Sequence, residues 1–363
     1  MGHIVNSKEE VYKLLAERLN KNPVGAPINE TLMEILHKLY TTSEAMVGSK
    51  FPIYPVKLEQ LVELTGIEKE QLKSILNNMA NKGLVIDIPR KNTFYYILSP
   101  MVIGFFEYTF MRARDDIEIK DLAKLFNKYF QDKDVVKEFS GKYTKLERTL
   151  VYESLIPVAV ETEVLPYERA SELIRKSGGG AISLCACRHK ASHLGKSCDA
   201  PLEVCTTLGN AAKWIVYRGL GRPATVDELL KILDETEKLG LVHTCDNVIN
   251  NPAFICHCCG CCCVILKSIN EFNSYAVHPS NFLPEIDKEN CVGCGTCAEK
   301  CHINAISMNE MPEIDEERCI GCGVCASVCP VDAISMKRRK NIHIPPDNLQ
   351  EKFLKIAKEK GKI

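Results

Sequence analysis

The sequence predicts an α+β, multidomain protein, and three observations carry that prediction. Its 363 residues exceed the roughly 250 to 300 at which a single hydrophobic core stops growing. All 19 cysteines lie between Cys185 and Cys329, which divides the chain into a cysteine-free first part and a cysteine-rich remainder. Near the C-terminus one segment is written twice: LPEIDKENCVGCGTCAEKCHINAISM from Leu283 returns as MPEIDEERCIGCGVCASVCPVDAISM from Met311, at an offset of 28 residues.

Composition narrows the function classes. With 45% hydrophobic and 26% charged residues the chain reads as an ordinary soluble globular protein. A formal charge of -1 excludes a global attraction to nucleic acid or anionic lipid, so any such binding needs a local patch. No apolar run approaches the roughly 18 to 20 residues of a membrane span. The opening MGHIVNSKEEVYKLL lacks the charged, apolar, small order of a signal peptide, so a cytoplasmic location is expected. In a long chain of that kind, clustered C-x-C and C-x2-C spacings point to metal ligation rather than disulfides.

Residues 1–28 read as an amphipathic helix carrying Val11, Leu14, Leu15 and Leu19, then a Pro/Gly turn, which suits an N-terminal helix or docking arm. Residues 29–100 open with Asn29 as N-cap of a helix with Leu32, Ile35, Leu36 and Leu39 on one face. A short helix over 57–64, a Thr65-Gly66 turn and a helix over 68–81 follow, with Leu72, Ile75, Leu76 and Met79 along one stripe. Strands over Leu84–Ile88 and Thr93–Leu98 flank the polar tip Pro89-Arg90-Lys91-Asn92. That order is the order of a winged helix-turn-helix. The exposed face of the 68–81 helix mixes Glu68, Lys69, Glu70, Lys73, Asn77 and Asn78 without an arginine run to neutralise phosphates. Docking to a protein partner, or a homodimer through this unit, is therefore favoured over DNA.

Residues 101–150 read as a helical connector with Leu122, Leu125, Phe126 and Tyr129. Residues 151–275 read as a cysteine-rich, metal-binding α/β domain. In it 155–164 look extended and 167–176 helical, and Ser177-Gly178-Gly179-Gly180 leads into a strand over Ala181–Leu184, a β-α-β pattern that delivers Cys185 at a strand end. Neither G-x-x-x-x-G-K-[ST] nor G-x-G-x-x-G accompanies those glycines, so they read as a tight turn, and no flavin or nucleotide motif is visible. Thr225 and Glu228 form a capping box opening a helix to about Leu239, and Val264–Ile269 continue the cysteine-packed run as a helix. The tail, 337–363, carries nine Lys or Arg against three acids; Asp347 and Gln350 are candidate caps for a last helix. It reads as a solvated helix end, or as a contact for an acidic redox partner.

The duplicated segment carries two C-x2-C-x2-C-x3-C runs within residues 280–336. Iron needs thiolates at the corners of a cubane, and this spacing lets three of them converge. The segment resembles the bacterial-type dicluster ferredoxin fold. The resemblance implies two 4Fe-4S clusters, with the fourth cysteine of each run ligating the other cluster. One cluster then takes Cys291, Cys294, Cys297 and Cys329, the other Cys319, Cys322, Cys325 and Cys301. Cys329 precedes Pro330 as in that family, whereas Cys301 precedes His302 where the family usually has proline. Gly293, Gly295, Gly321 and Gly323 are expected to let the backbone approach each cluster.

Eleven further thiols precede that module. Cys185, Cys187, Cys198 and Cys205 form the expected first ligand set of a third cluster. Cys256, Cys258, Cys259, Cys261, Cys262 and Cys263 are further candidate ligands, serving two centres or presenting alternate residues to one. One or two additional Fe-S clusters, or one of unusual nuclearity, are expected in the central domain. Cys245 stands alone and reads as a buried apolar thiol. His189, His193, His243 and His257 lie near these thiols as ligand or proton-relay candidates, though a histidine is more often polar surface. Arg188 and Lys190 are placed to offset thiolate charge.

The order of winged helix, C-x-C-R-H region, C-H-C-C-G-C-C-C run and C-terminal dicluster module resembles the multi-domain 4Fe-4S ferredoxin-type proteins of strictly anaerobic bacteria and archaea. That resemblance implies electron transfer in an anaerobic cytoplasm, with a redox partner protein or enzyme subunit. The alternatives are a redox enzyme with its reaction centre in the central domain and an Fe-S-sensing transcription regulator.

Overall fold

The computed structural model describes residues 2–91 and 93–363; Asn92, at the expected hairpin tip, lies outside them. The first unit runs α1 (Gly2–Asn20), α2 (Glu30–Leu39), α3 (Thr42–Ser49), β1 (Val56–Lys57), α4 (Leu58–Thr65), α5 (Lys69–Lys82), β2 (Val85–Arg90) and β3 (Thr93–Leu98). The Asn29 side chain caps α2 by accepting the Leu32 N–H at 2.9 Å, relieving one orphan amide of the first turn. Far from hanging free, α1 buries Tyr12, Leu15 and Leu19 and packs on α3, where a Cβ on Gly48 would meet Leu15 Cδ1 at 2.8 Å. The three strands form an antiparallel sheet in the order β1-β3-β2.

Three helices follow, α6 (Phe106–Phe110), α7 (Ile119–Tyr129) and α8 (Lys133–Ser140), but the expected helical stretch to residue 150 ends early. Glu147–Leu150 form β4, all four residues buried. Three of the four are polar, so the segment shows neither helical nor strand periodicity; the ladders to β8 and β10 satisfy its backbone, and Glu147 and Arg148 find side-chain partners. Residues 155–164 are likewise not extended. They form 3-10 turns over Glu153–Leu155 and Val158–Glu163, because Val158, Glu161 and Glu163 are exposed with no strand to pair with.

The central elements are α9 (Ala170–Ser177), β5 (Gly180–Ser183), α10 (Ala186–His193), β6 (Cys205–Leu208), α11 (Gly209–Tyr217), β7 (Arg222–Ala224), α12 (Val226–Lys238), β8 (Val242–Asp246), β9 (Phe254–Cys258), α13 (Val264–Phe272) and β10 (Val277–His278). They build a seven-stranded sheet of order β10-β4-β8-β9-β6-β5-β7. Only β10 and β4 run parallel. The β-α-β pattern expected before Cys185 is therefore not formed: residues 155–164, its first strand, are 3-10 turns, and β5 pairs antiparallel with β6 and β7. Apolar alternation marks a strand but not its direction. On one face Ile182, Leu208 and Ile255 pack under α9 and α12; on the other, Ala181 and α11 join the core of the N-terminal unit.

That junction is polar as well as apolar. Asp87 on β2 accepts the Trp214 Nε1–H at 2.9 Å and pairs with Arg218, whose Nη1 also reaches Asn77 at 2.9 Å and Asn81 at 2.7 Å on α5.

The C-terminal unit carries β11 (Phe282–Ile286), α14 (Thr296–Glu299), β12 (Ile306–Met308), β13 (Pro312–Ile314), α15 (Val324–Ser327) and β14 (Ile334–Arg338), before a last helix α16 (Leu349–Glu359). The duplicated halves exchange strands: β11 of the first pairs with β14 of the second, and β12 with β13. Asn348, beside the expected Asp347, caps α16 by accepting the Glu351 N–H at 3.0 Å. The basic tail is tied down by the chain itself. Arg338 pairs with Glu168, Arg339 donates to the Cys319 carbonyl at 2.7 Å, fully buried Lys352 pairs with Asp246, and Lys360 and Lys362 with Glu138. No helix among the described residues is long and apolar enough to cross a membrane.

Candidate metal centres

Each C-terminal run places its third cysteine, Cys297 or Cys325, in a one-turn helix and its fourth just beyond it. Glycines at positive φ shape the loops; at Gly321 a Cβ would stand 2.1 Å from the Phe282 carbonyl oxygen, so no side chain fits. Backbone amides point at the thiols. Ala305 donates to Cys301 at 3.2 Å, Ala333 to Cys329 at 3.3 Å and Gly321 to Cys319 at 3.4 Å. Cys301 lies among the thiols of the other run: burial first, then the charges of Cys322, Cys319 and Cys301, push Cys325 well up. Eight thiols in glycine loops, aimed at by amide donors, fit the donor set of two cubanes.

In the central domain, strand geometry and turn geometry separate the thiols into two groups. Along β9, Cys256 and Cys258 share one face while His257 points to the other. Cys205 at the start of β6 meets Cys256, Cys256 meets Cys258, Cys258 meets Cys263 and Cys263 meets Cys187, with Cys185 close to Cys187 and Cys205. Cys185 and Cys263 occupy the N-cap positions of α10 and α13, so two helix N-termini face this inner array. The donations from Cys256 and Cys263 pull the Cys258 thiol down, while burial lifts Cys185 to about 12. The six line a cavity of about 160 Å³ together with Glu107, Glu147 and Trp214.

The second group lies in the turn after β9. Cys259, Cys261 and Cys262 meet Cys198 from the loop after α10, and the four Sγ atoms lie within 4.8 Å of one another. Cys198 therefore stands here rather than with Cys185, Cys187 and Cys205, the grouping expected from sequence. Spacing along the chain placed it with its sequence neighbours, but the loop after α10 carries it to the far side of Arg188.

Arg188 is fully buried between the two groups. It donates to the Pro201 carbonyl at 2.6 Å and to the His257 carbonyl, and its Nε has no protein partner. Burial opposes its charge, but the thiols of Cys185, Cys259 and Cys258 more than offset this and hold its pKa above the usual value. Lys190, also buried, stands over the rings of Phe130 at 5.7 Å and Phe106 at 6.0 Å, beside Cys187 and Cys263. Both basic residues thus occupy the charge-offsetting positions their sequence neighbourhood suggests.

Three of the four histidines are not polar surface; His193 is half-buried, its Nε2 3.1 Å from His189 Nε2. His189, His243 and His257 are buried, and His243 and His257 share the Thr236 hydroxyl at 3.1 and 2.8 Å on the face away from Cys256 and Cys258. Burial depresses His243 to about 3 and, with His243 and Arg188 nearby, drives His257 well below the ordinary range. Cys245, buried on β8, receives a hydrogen bond from Arg148 and touches neither thiol group. The Ser177 hydroxyl donates to the carbonyls of Ile174 and Gly179, as befits a tight turn. Glu107 and Glu147 carried no sequence signal, since neither stands near a cysteine in the chain.

Residues 284–336 match the family model described as a 4Fe-4S dicluster domain. No curated protein and no solved structure matches the chain. The C-terminal segment is thus an iron-sulfur, 4Fe-4S module of ferredoxin type, joined to a mixed α and β body that carries a separate cluster of cysteines.

Proposed function

We propose that the protein is an iron-sulfur electron-transfer protein or subunit that relays single electrons between the dicluster module, the central thiols and a partner redox enzyme. One observation carries this reading. Cys319 of the dicluster module shares one buried apolar core with Cys258 and Cys263 of the inner array, and Cys301, Cys322 and Cys256 pack against that core, so the two ligand sets adjoin through packed protein. In this reading Cys291, Cys294, Cys297 and Cys329 hold one cubane, and Cys319, Cys322, Cys325 and Cys301 the other. Cys185, Cys187, Cys205, Cys256, Cys258 and Cys263 supply the ligands of the central Fe-S centre. Bound there, such clusters supply one-electron carriers at potentials set by charge, hydrogen bonds and burial. The chain's own part is to hold the thiolates deprotonated with Arg188, Lys190 and the amide donors, and to keep water out.

The winged-helix reading of residues 29–100 is supported by the order of helices and the three-stranded sheet. Its α5 engages Asn77 and Asn81 with Arg218, which favours protein docking over DNA. A second reading, a redox enzyme acting at the inner array, is favoured by the cavity, where burial raises Glu107 to about 8 and Glu147 to about 7, both suited to giving up protons near neutrality. An anaerobic cytoplasm is the setting consistent with so many thiols.

Anaerobic quantification of iron and acid-labile sulfide, with EPR of the reduced protein, tests the relay. About twelve irons with matching sulfide, on a count of four per cubane, and interacting spins are expected. About eight would remove the central Fe-S centre from the proposal, and no reduced-cluster signal would remove the relay altogether.

A further inference from the structure

The geometry points to a second kind of metal centre: we propose that Cys198, Cys259, Cys261 and Cys262 bind one four-coordinate thiophilic ion, Zn²⁺ or Fe²⁺, without bridging sulfide. The sulfur separations decide the class. Cys198 Sγ lies 3.6 Å from Cys259 and 3.9 Å from Cys262, and Cys261 lies 3.7 Å from Cys262. A tetrahedron of thiolates at a metal–sulfur distance of about 2.3 Å has edges of about 3.8 Å. In a cubane each thiolate binds a different iron, so the iron-to-iron separation is added to the sulfur-to-sulfur span. The same chain provides the contrast. Among the described residues this is the one set of three or more candidate ligands held within 4.8 Å of one another; neither dicluster set nor the inner array is drawn so close.

The surroundings suit a compact anionic site. Amides of Cys262 and Cys198 point at the thiols of Cys259 and Cys262, and the Arg188 guanidinium faces Cys259. Four thiolates on a divalent ion carry two negative charges, and a buried guanidinium with an unpartnered Nε is the compensating group. Four protein ligands leave no open position, which is the mark of a structural centre. What it holds is clear from the chain. The loop between α10 and β6 and the turn after β9 have no ladder joining them, and the turn's flanking residues are Cys258 and Cys263 of the inner array. The ion clamps loop to turn and so sets the spacing of those two ligands.

The test uses the full-length protein purified anaerobically, with iron, zinc and sulfide measured together, in wild type and in Cys198→Ser and Cys261→Ser variants. The expected result is one metal per chain beyond the iron matched by sulfide, either zinc or sulfide-free iron, lost in both variants while sulfide stays constant. X-ray absorption at that metal's edge on the wild type, if zinc, shows four sulfur neighbours and no metal neighbour. Cys245→Ser, a buried thiol outside both groups, keeps the extra metal. Loss of about four irons with four sulfides in the variants would mean a cubane, and a wild type with no metal beyond sulfide-matched iron would mean no such ion; either overturns the proposal. A total of only eight sulfides would refute the central Fe-S centre yet leave this measurement decisive, so the two readings fail separately.

Discussion

The Gly260 amide donates to His302 Nδ1 at 3.1 Å, and the same ring donates from Nε2 to the Gly240 carbonyl at 2.7 Å. His302 follows the cluster-ligand candidate Cys301, and Gly260 sits between Cys259 and Cys261, so one imidazole ties the dicluster module to the thiol turn. The fit admits only glycine at 260, where a Cβ would stand 2.3 Å from the His302 carbonyl oxygen. The departure from proline after Cys301 thus has a physical account: proline's one ring nitrogen is its backbone amide nitrogen, with no hydrogen to donate and no free lone pair to accept, whereas the imidazole bonds at both Nδ1 and Nε2.

His302→Ala leaves the Gly260 amide unpaired and should cost about 1 to 3 kcal/mol of stability in chemical unfolding. The dicluster EPR signal should remain, since no thiol is lost, while reduction of the central centre from the dicluster side slows. Wild-type unfolding and wild-type transfer rates together would show that the bridge does nothing.

Arg188→Met keeps the volume and removes the charge that faces Cys185, Cys258 and Cys259. The central centre should become harder to reduce by at least about 60 mV, the equivalent of a tenfold change for a one-electron couple. The dicluster potentials serve as the internal control and should not move. A central potential equal to wild type refutes the assignment of Arg188 as its counter-charge.

The tail's anchoring can be weighed through Lys352 and Asp246, both buried. Breaking one side with Lys352→Met should destabilise by about 3 to 5 kcal/mol, because a carboxylate is left buried and unpaired. Adding Asp246→Asn, which still accepts the Ala253 amide, should recover more than half of that in denaturant titrations. A neutral single variant would show the tail to be a passenger.

Acid should weaken the fold through His243. Its folded pKa of about 3 lies below the ordinary value of about 6.5, so the neutral ring's contribution is full above that value and is lost as pH falls from there towards 3. The shift corresponds to about 5 kcal/mol across that window. His243→Gln keeps a partner for Thr236 without a titrating ring, so its stability should fall less steeply between pH 6.5 and 4 than wild type. Parallel pH profiles would contradict a buried neutral imidazole.

Much of this was legible in residues that act locally. Asn29 and the Thr225–Glu228 box announce helix starts because a cap bonds to amides two or three positions away. The eight C-terminal cysteines announce their chemistry through spacing in a loop that needs no distant element. What misled was also physical. Glu147–Leu150 is a strand whose Glu147 and Arg148 side chains find partners in Thr244, Asp246 and Tyr167, outside the segment, and the basic tail reads as solvated until Glu168, Asp246 and Glu138 arrive from elsewhere.

The sequence by itself determined that iron-sulfur chemistry resides at the C-terminus and that a second body of thiols precedes it, since ligand type and loop spacing are local properties. Only the tertiary structure decided how those eleven thiols divide. The end of β9 at Cys258 puts alternate residues on the sheet face and the next three cysteines in a turn. The loop after α10 then brings Cys198 across to that turn, leaving Cys185, Cys187 and Cys205 with Cys256, Cys258 and Cys263. Which thiols share a metal depends on where strands stop and loops fold back, and no spacing along the chain carries that information.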